Sequence, residues 1–303
     1  MIRVLVTDGM EKGAIEELKN KGFEVVEKFY EPEFLGDELK NFDVIVVRSA
    51  TKVRKAIIDK AAESGKLKLI IRGGVGVDNI DVAYAEEKGI KVTNTPNASS
   101  ASVAELALAH MFAISRFVNI SNVAMRQSKW DKKKYTGVEI GGKTLGLIGF
   151  GRISKELAKK ASALGMTVIY TDIIGKAKGF DEYEYLELND VLKKSDYVSL
   201  HIPFIKESGA TIGKDQLAMM KDGSFLINCA RGGVVDEAAL VEALDNGKLA
   251  GAGVDVYVEE PTKNEALVNH PKVSVTPHIG AATKEAQTRI GTEIMEIIIS
   301  FFK

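Results

Sequence analysis

Three segments in the C-terminal part of the chain each close an apolar run with a side chain able to handle a proton or an anion. Residues 226–233 (LINCARGG) deliver Arg231, residues 253–261 (GVDVYVEEP) deliver Glu260, and residues 275–280 (VTPHIG) deliver His278. Histidine titrates near neutral pH and can give or take one proton. A carboxylate on its second ring nitrogen orients the ring and favours the imidazolium. Arginine grips a carboxylate in a fork and polarises a neighbouring carbonyl. These are the groups that interconverting a 2-hydroxy acid and its 2-keto acid requires, provided something accepts or supplies a hydride. Singly, each has an ordinary structural explanation, because such residues are common in proline- and glycine-rich turns.

A hydride carrier is implied upstream. Residues 145–154 (LGLIGFGRIS) run from a strand into a helix. Gly149 permits the tight turn and Gly151 lets backbone approach a pyrophosphate, which the helix N-terminus then faces with free N–H groups. Arg152 and Ile153 open that helix, and Ser154 stands where a third glycine is usual, predicting a small geometric cost in helix–strand packing. Asp172 ends the next strand, about 20 residues on, where a carboxylate binds ribose hydroxyls and repels a 2′-phosphate; NAD is therefore the expected cofactor.

The elements that position these residues alternate. Strand-like runs fall at 2–7, 23–26, 43–47, 67–71 and 90–93, and again at 144–148, 167–170, 197–200, 224–228, 251–255 and 273–276. Amphipathic stretches lie between them, at 11–21, 54–64, 82–88, 153–164, 188–194, 214–220 and 237–246. Such alternation predicts α/β architecture with two doubly wound parallel sheets. Residues 98–126 read as one long Ala-rich helix and 284–302 as another. If the latter packs back on the first domain, that domain is discontinuous: 1–97 with 283–303, around a domain at 98–282.

Composition narrows the function class. The 303 residues carry 41 basic and 42 acidic side chains, net −1, with 45% apolar residues. That balance predicts two packed cores and gives no reason to expect nucleic acid or an anionic membrane as partner. Cys229 is the single cysteine, and with four histidines it makes a poor metal cage, so no metal is expected. The N-terminal MIRVLVTD has no signal-peptide pattern, and the apolar stretch 294–302 is far short of the roughly 20 residues that span a bilayer. The expectation is a soluble cytoplasmic protein.

With these motifs quoted, together with 47–53 (VRSATKV), 76–79 (GVDN), 94–97 (NTPN) and 277–281 (PHIGA), the chain resembles the D-isomer-specific 2-hydroxyacid dehydrogenase family nearly end to end. The resemblance implies a Rossmann NAD-binding domain inserted in a discontinuous flavodoxin-like substrate domain. It assigns catalysis to Arg231, Glu260 and His278. It implies cofactor contacts at Gly149, Gly151, Arg152, Ile153 and Asp172; at His201, Ile202 and Pro203; at Cys229, Ala230, Arg231 and Asp255; and at His278, Gly280, Ala281 and Val75. Ile202 stands where relatives often have threonine, so only backbone contacts are expected there.

Within the family the resemblance is greatest to members acting on 3-phosphoglycerate, implying oxidation of D-3-phosphoglycerate to 3-phosphohydroxypyruvate, the first step of serine synthesis. Arg48 and Arg72 would meet the phosphorylated substrate. Ser49, with the Val75 and Gly76 amides, would hold its carboxylate, beside Asn97, Arg231 and His278. Lys132, in the lysine run after Trp130, stands at the position of a basic residue lent by the partner subunit; Trp130 would pack in a homodimer interface. Longer relatives carry C-terminal regulatory domains, and serine feedback through one is not expected here. Two alternatives stay open: a glyoxylate or hydroxypyruvate reductase, which would not need Arg48 and Arg72, and an NAD-sensing, corepressor-like binding protein.

Overall fold

The computed structural model describes all 303 residues. Along the chain the strands are β1 (Arg3–Val6), β2 (Glu24–Glu27), β3 (Val44–Val47), β4 (Leu69–Arg72), β5 (Lys91–Asn94), β6 (Thr144–Ile148), β7 (Thr167–Thr171), β8 (Glu184–Tyr185), β9 (Tyr197–Leu200), β10 (Ser224–Asn228), β11 (Leu249–Val254) and β12 (Val273–Val275). The helices are α1 (Lys12–Asn20), α2 (Pro32–Glu38), α3 (Lys55–Ala62), α4 (Val82–Glu87), α5 (Ser100–Ser115), α6 (Val118–Arg126), α7 (Arg152–Ala163), α8 (Leu188–Lys194), α9 (Lys214–Met219), α10 (Glu237–Asp245), α11 (Glu265–Val268) and α12 (Lys284–Phe301). The chain divides into two compact units, Met1–Ser99 with Ala281–Lys303, and Ser100–Gly280.

The first unit is a five-stranded, all-parallel sheet in the order β2-β1-β3-β4-β5. Its strands are nearly continuous apolar runs; β3 (VIVV) is buried throughout, as a parallel sheet covered on both faces requires. Alternate side chains serve two cores. Val4, Val6, Val44, Val46, Leu69 and Ile71 pack with α1 and α12, while Leu5, Ile45, Val47 and Ile70 pack with α2, α3 and α4.

The second unit is a seven-stranded parallel sheet, β12-β11-β10-β9-β6-β7-β8. Strand order reverses between β6 and β9, so a crevice opens at their carboxyl ends, where ligands bind in such sheets. One face packs on α5 and α7, the other on α8 to α11. No single helix is long and apolar enough to cross a membrane.

The single long helix expected over 98–126 is two helices, α5 and α6, bent by 65°. The cause is tertiary. The Ser115 carbonyl accepts from the Val138 amide at 3.0 Å, and the Ser115 hydroxyl is bound to the Met111 carbonyl and the Tyr197 hydroxyl, both at 2.6 Å. Such back-bonding bends helices. Phe117 then turns through the left-handed region, at φ 55°, before α6 begins.

Candidate active site

The glycine loop leaves β6 at its carboxyl end. Gly149 has φ 86°, and a Cβ there would lie 2.6 Å from the His201 carbonyl, so only glycine lets the loop lie against the segment that follows β9. Gly151 is the N-cap of α7, and a Cβ on it would enter open space. Nothing in the protein demands glycine at 151; free room at a twelve-residue helix N-terminus suits an approaching pyrophosphate. Arg152 is exposed and Ile153 half-buried at the start of α7. Ser154 is fully buried, and its hydroxyl donates to the Gly149 carbonyl at 2.5 Å. The serine thus ties helix to loop, an interaction a glycine there could not make.

Asp172 follows β7 and accepts the Phe150 amide at 2.7 Å and the Ile174 amide at 3.0 Å. Those bonds fix a carboxylate beside the glycine loop. The half-buried acid, the open Gly151 and the α7 terminus together fit a dinucleotide. Replacing Asp172 by alanine is expected to weaken NADH binding about 10- to 100-fold, the scale of losing one or two hydrogen bonds to a charged group. Fluorescence titration measures this, and an unchanged Kd would refute the ribose role.

The three expected catalytic side chains all project from carboxyl ends of strands in the second unit. Glu260 and His278 meet: the His278 Nδ1 lies 2.7 Å from the Glu260 Oε2. The other Glu260 oxygen accepts the Tyr257 amide at 3.2 Å. Partial burial pushes the Glu260 carboxyl up, but hydrogen bonding and charge from His278, the Tyr257 N–H and the Arg231 charge outweigh it, leaving it below the ordinary glutamate value. Arg231 sits in the turn after β10, where its Nη1 donates to the Ala230 carbonyl at 2.6 Å. Asn228 builds that turn, donating to the Arg231 carbonyl and accepting the Ala230 amide. A Cβ on Gly232 would lie 1.8 Å from the Tyr257 carbonyl oxygen, so this turn lies directly on the segment leading to Glu260.

His278 itself has φ 53°. Asp255 imposes the turn around it, accepting the Ile279 amide at 2.8 Å, the Gly280 amide at 2.9 Å and the Thr276 hydroxyl at 2.5 Å. The other residues of the expected cofactor set have fixed places. His201 follows β9, its Nε2 lying 2.9 Å from the Ser199 hydroxyl, and burial pushes its imidazole down to about 3. It stays neutral and is no acid–base candidate. Ile202 is half-buried and Pro203 exposed beyond it. Cys229 and Ala230 are buried. Burial drives the Cys229 thiol far up, so it carries no thiolate.

In the first unit, Arg48 and Arg72 stand at the carboxyl ends of the paired strands β3 and β4. The Arg72 Nη2 donates to the Ser49 hydroxyl at 3.3 Å. A Cβ on Gly74 would lie 1.4 Å from the Arg72 Nη1, so glycine there makes room for the guanidinium. The Asn94 amide donates to the Val75 carbonyl, Gly76 follows half-buried, and Asn97 donates to Glu293 at 3.1 Å. Ala281 accepts from the Gln287 amide. In the second unit Lys132 and Trp130 are exposed, and Lys134 pairs with Asp131 at 3.0 Å.

Sequence reasoning missed the residues that hold the Arg48 loop. Asp8 accepts the Arg48 amide at 2.7 Å, the Thr51 amide at 3.0 Å and the Thr51 hydroxyl at 2.6 Å. Asn79 donates to the Arg48 and Thr51 carbonyls. The available signal was an acid closing an apolar run, as Asp172 does; its partners lie some 40 residues away and carry no local mark.

Comparison with known proteins adds to this geometry. Residues 108–280 match the family model described as D-isomer specific 2-hydroxyacid dehydrogenase, NAD binding domain. The chain is 46% identical to a hydroxypyruvate reductase of Thermotoga maritima, over 98% of this chain and 97% of that one. It is 43% identical to a D-3-phosphoglycerate dehydrogenase of Methanocaldococcus jannaschii, over 98% of this chain but 57% of that longer one; it spans little more than half of such relatives. Among solved structures, the TT0316 protein of Thermus thermophilus superimposes with a TM-score of 0.87 at 35% identity, over 97% of this chain and 94% of that one.

Proposed function

Because this chain belongs to the D-isomer-specific 2-hydroxyacid dehydrogenase family, we propose that it oxidises D-3-phosphoglycerate to 3-phosphohydroxypyruvate with NAD. The His278–Glu260 pair, at 2.7 Å, carries the dehydrogenase reading. Glu260 occupies Nδ1, which leaves the Nε2 of His278 to take the proton of the substrate hydroxyl. Glu260 keeps the imidazolium oriented once it forms. Arg231 holds the substrate carboxylate and draws charge from the developing carbonyl. When bound, NAD supplies the hydride acceptor. In the reverse direction His278 returns the proton from Nε2.

The phosphate is the finer part of this reading, and it rests on Arg48 and Arg72. Two cations on adjacent strand ends suit a dianion, with Ser49 and the Val75 and Gly76 amides for the carboxylate and Lys132 of a second copy as a further cation. Reduction of hydroxypyruvate is the second reading, favoured by the relative of that name that matches along its whole length. A steady-state assay with 3-phosphohydroxypyruvate, hydroxypyruvate and glyoxylate separates them. Phosphohydroxypyruvate is expected to have the highest kcat/KM, and Arg72→Ala to lower it about 30-fold or more while sparing hydroxypyruvate, the scale of one charged hydrogen-bonded contact. Equal kcat/KM with and without the phosphate would sink the first reading. A wild-type chain that binds NADH but turns over no keto acid would sink both, in favour of an NAD-sensing role.

The assembly proposed is a homodimer through the second unit. Phe112, Val123, Met125 and Trp130 on and after α5 and α6 are exposed, Trp130 at 78%. Large apolar side chains left exposed on one helix pair and the segment after it support an interface there. Light scattering is expected to give twice the chain mass, and Trp130→Glu to lower it; a monomeric mass for the unaltered protein would overturn the proposal.

A further inference from the structure

His110 has no part in the chemistry so far. It lies on α5, 2% exposed, packed against β11 where a Cβ on Gly253 would come within 2.5 Å of its own Cβ. The glycine leaves the space the imidazole fills. Both ring nitrogens are engaged: Nδ1 lies 2.8 Å from the Ser274 hydroxyl and Nε2 lies 3.1 Å from the Thr276 hydroxyl. Asn119 on α6 donates its amide to the same Ser274 hydroxyl at 2.7 Å.

The direction of every proton in this group follows from Asp255. The Thr276 hydroxyl donates to the Asp255 Oδ1, which commits its single proton. The Thr276 oxygen is then the acceptor for His110, which must carry its proton on Nε2. Nδ1 is left as an acceptor, and the Ser274 hydroxyl donates to it. The lone pair left on that hydroxyl accepts from the Asn119 amide. The chain runs one way, from Asn119 through Ser274, His110 and Thr276 to Asp255. Asp255 then accepts the Ile279 and Gly280 amides that flank His278. Burial holds the His110 imidazole below its ordinary value against the pull of Asp255, which suits the neutral tautomer this direction requires.

We propose that His110 is a positioning residue: its Nε2–H fixes the Thr276 hydroxyl on Asp255 and so the left-handed turn that aims His278. The inference rests on His278 being the acid–base group of the reaction proposed above. The link exists because α5 crosses β11 and β12 beneath the turn.

Two amides divide the imidazole into its halves. Glutamine places an N–H near the position of Nε2, and asparagine places a polar group near that of Nδ1. His110→Gln keeps the Thr276 donor and is expected to retain kcat within about threefold. His110→Asn loses that donor and is expected to lower kcat about tenfold or more, since a displacement of ~1 Å at the reacting group costs up to about 10²-fold. Each variant loses one of two hydrogen bonds, so their Tm values are expected to be close. Thr276→Val, which breaks the same link by another route, should match His110→Asn in kcat. Equal kcat in the two His110 variants, or full activity in His110→Asn, would overturn the inference. His278→Ala is run alongside: if it keeps turnover, the premise falls and the inference with it; if it is inactive while His110→Asn is fully active, only the inference falls.

Discussion

Replacing His278 by alanine is expected to lower kcat by about 10³-fold or more while changing the NADH Kd far less. General acid–base catalysis contributes roughly 10²- to 10⁴-fold, and no other histidine can substitute. His201 is buried and neutral, His110 has both nitrogens committed, and His270 precedes β12, at the amino end of the sheet. The His278 side chain is 37% exposed and bonded to Glu260, so its loss should not disturb the fold. Steady-state kinetics and a fluorescence Kd on the same preparation check both halves; a Kd that rises in step with the kcat loss would show a binding role instead. The pair also sets an acid limit. The Glu260 carboxyl titrates below its ordinary 4.5 in the folded protein, so the stability and orientation it contributes are present above that value. They are lost as pH falls through the lower folded value. Glu260 is more than a third exposed, so the stability share is small and the kinetic share is the one to measure.

The second large effect is expected at a residue with no side chain. Gly232→Ala would put a Cβ 1.8 Å from the Tyr257 carbonyl oxygen, 2.1 Å from its carbon and 2.7 Å from the Val258 nitrogen. All three are backbone atoms and cannot rotate aside. The Arg231 turn and the segment leading to Glu260 must separate. A loss of about 3 kcal/mol is the upper range for overpacking, and kcat should fall about 10²-fold as the catalytic groups move apart. The melting temperature of the second unit should drop by about 6–12 °C. Gly151→Ala is the contrast: its Cβ enters open space, so Tm should hold while NADH affinity falls. If Gly232→Ala melts and turns over like the unaltered protein, the contact does not exist in solution.

Much of the scaffold was legible because its strands are short apolar runs between turn residues. β6, β9 and β10 begin and end where those runs do. The candidate site residues were legible for the same reason: each follows a strand whose end an open parallel sheet delivers to its carboxyl edge. What escaped reading depends on contacts far apart in sequence. The break between α5 and α6 comes from Val138 and Tyr197 acting on Ser115, and helical periodicity runs straight through it. α2 is seven residues with a proline at its start and too short for a periodic signal. Ser154 departs from a glycine pattern in sequence, and only the fold shows its hydroxyl on the Gly149 carbonyl. Asp8, Asn79 and His110 look like ordinary polar residues, and only the packing says which loops they hold.

The split of the first unit around the second has a consequence for the order of synthesis. The core under β1 and β3 is completed by Ile290, Ile294, Met295 and Ile298 of α12, and a Cβ on Gly291 would lie 2.9 Å from the Glu11 Cβ and 3.1 Å from the Ala14 Cβ, so glycine permits the close approach of that helix to α1. A nascent chain emerging from a ribosome can close the Ser100–Gly280 unit on its own residues. The first 99 residues, made earlier, must wait with that face of their sheet covered by α1 alone until α12 emerges. The unit translated first is therefore the unit that matures last, and the apolar sheet face awaiting α12 is the surface a chaperone would meet.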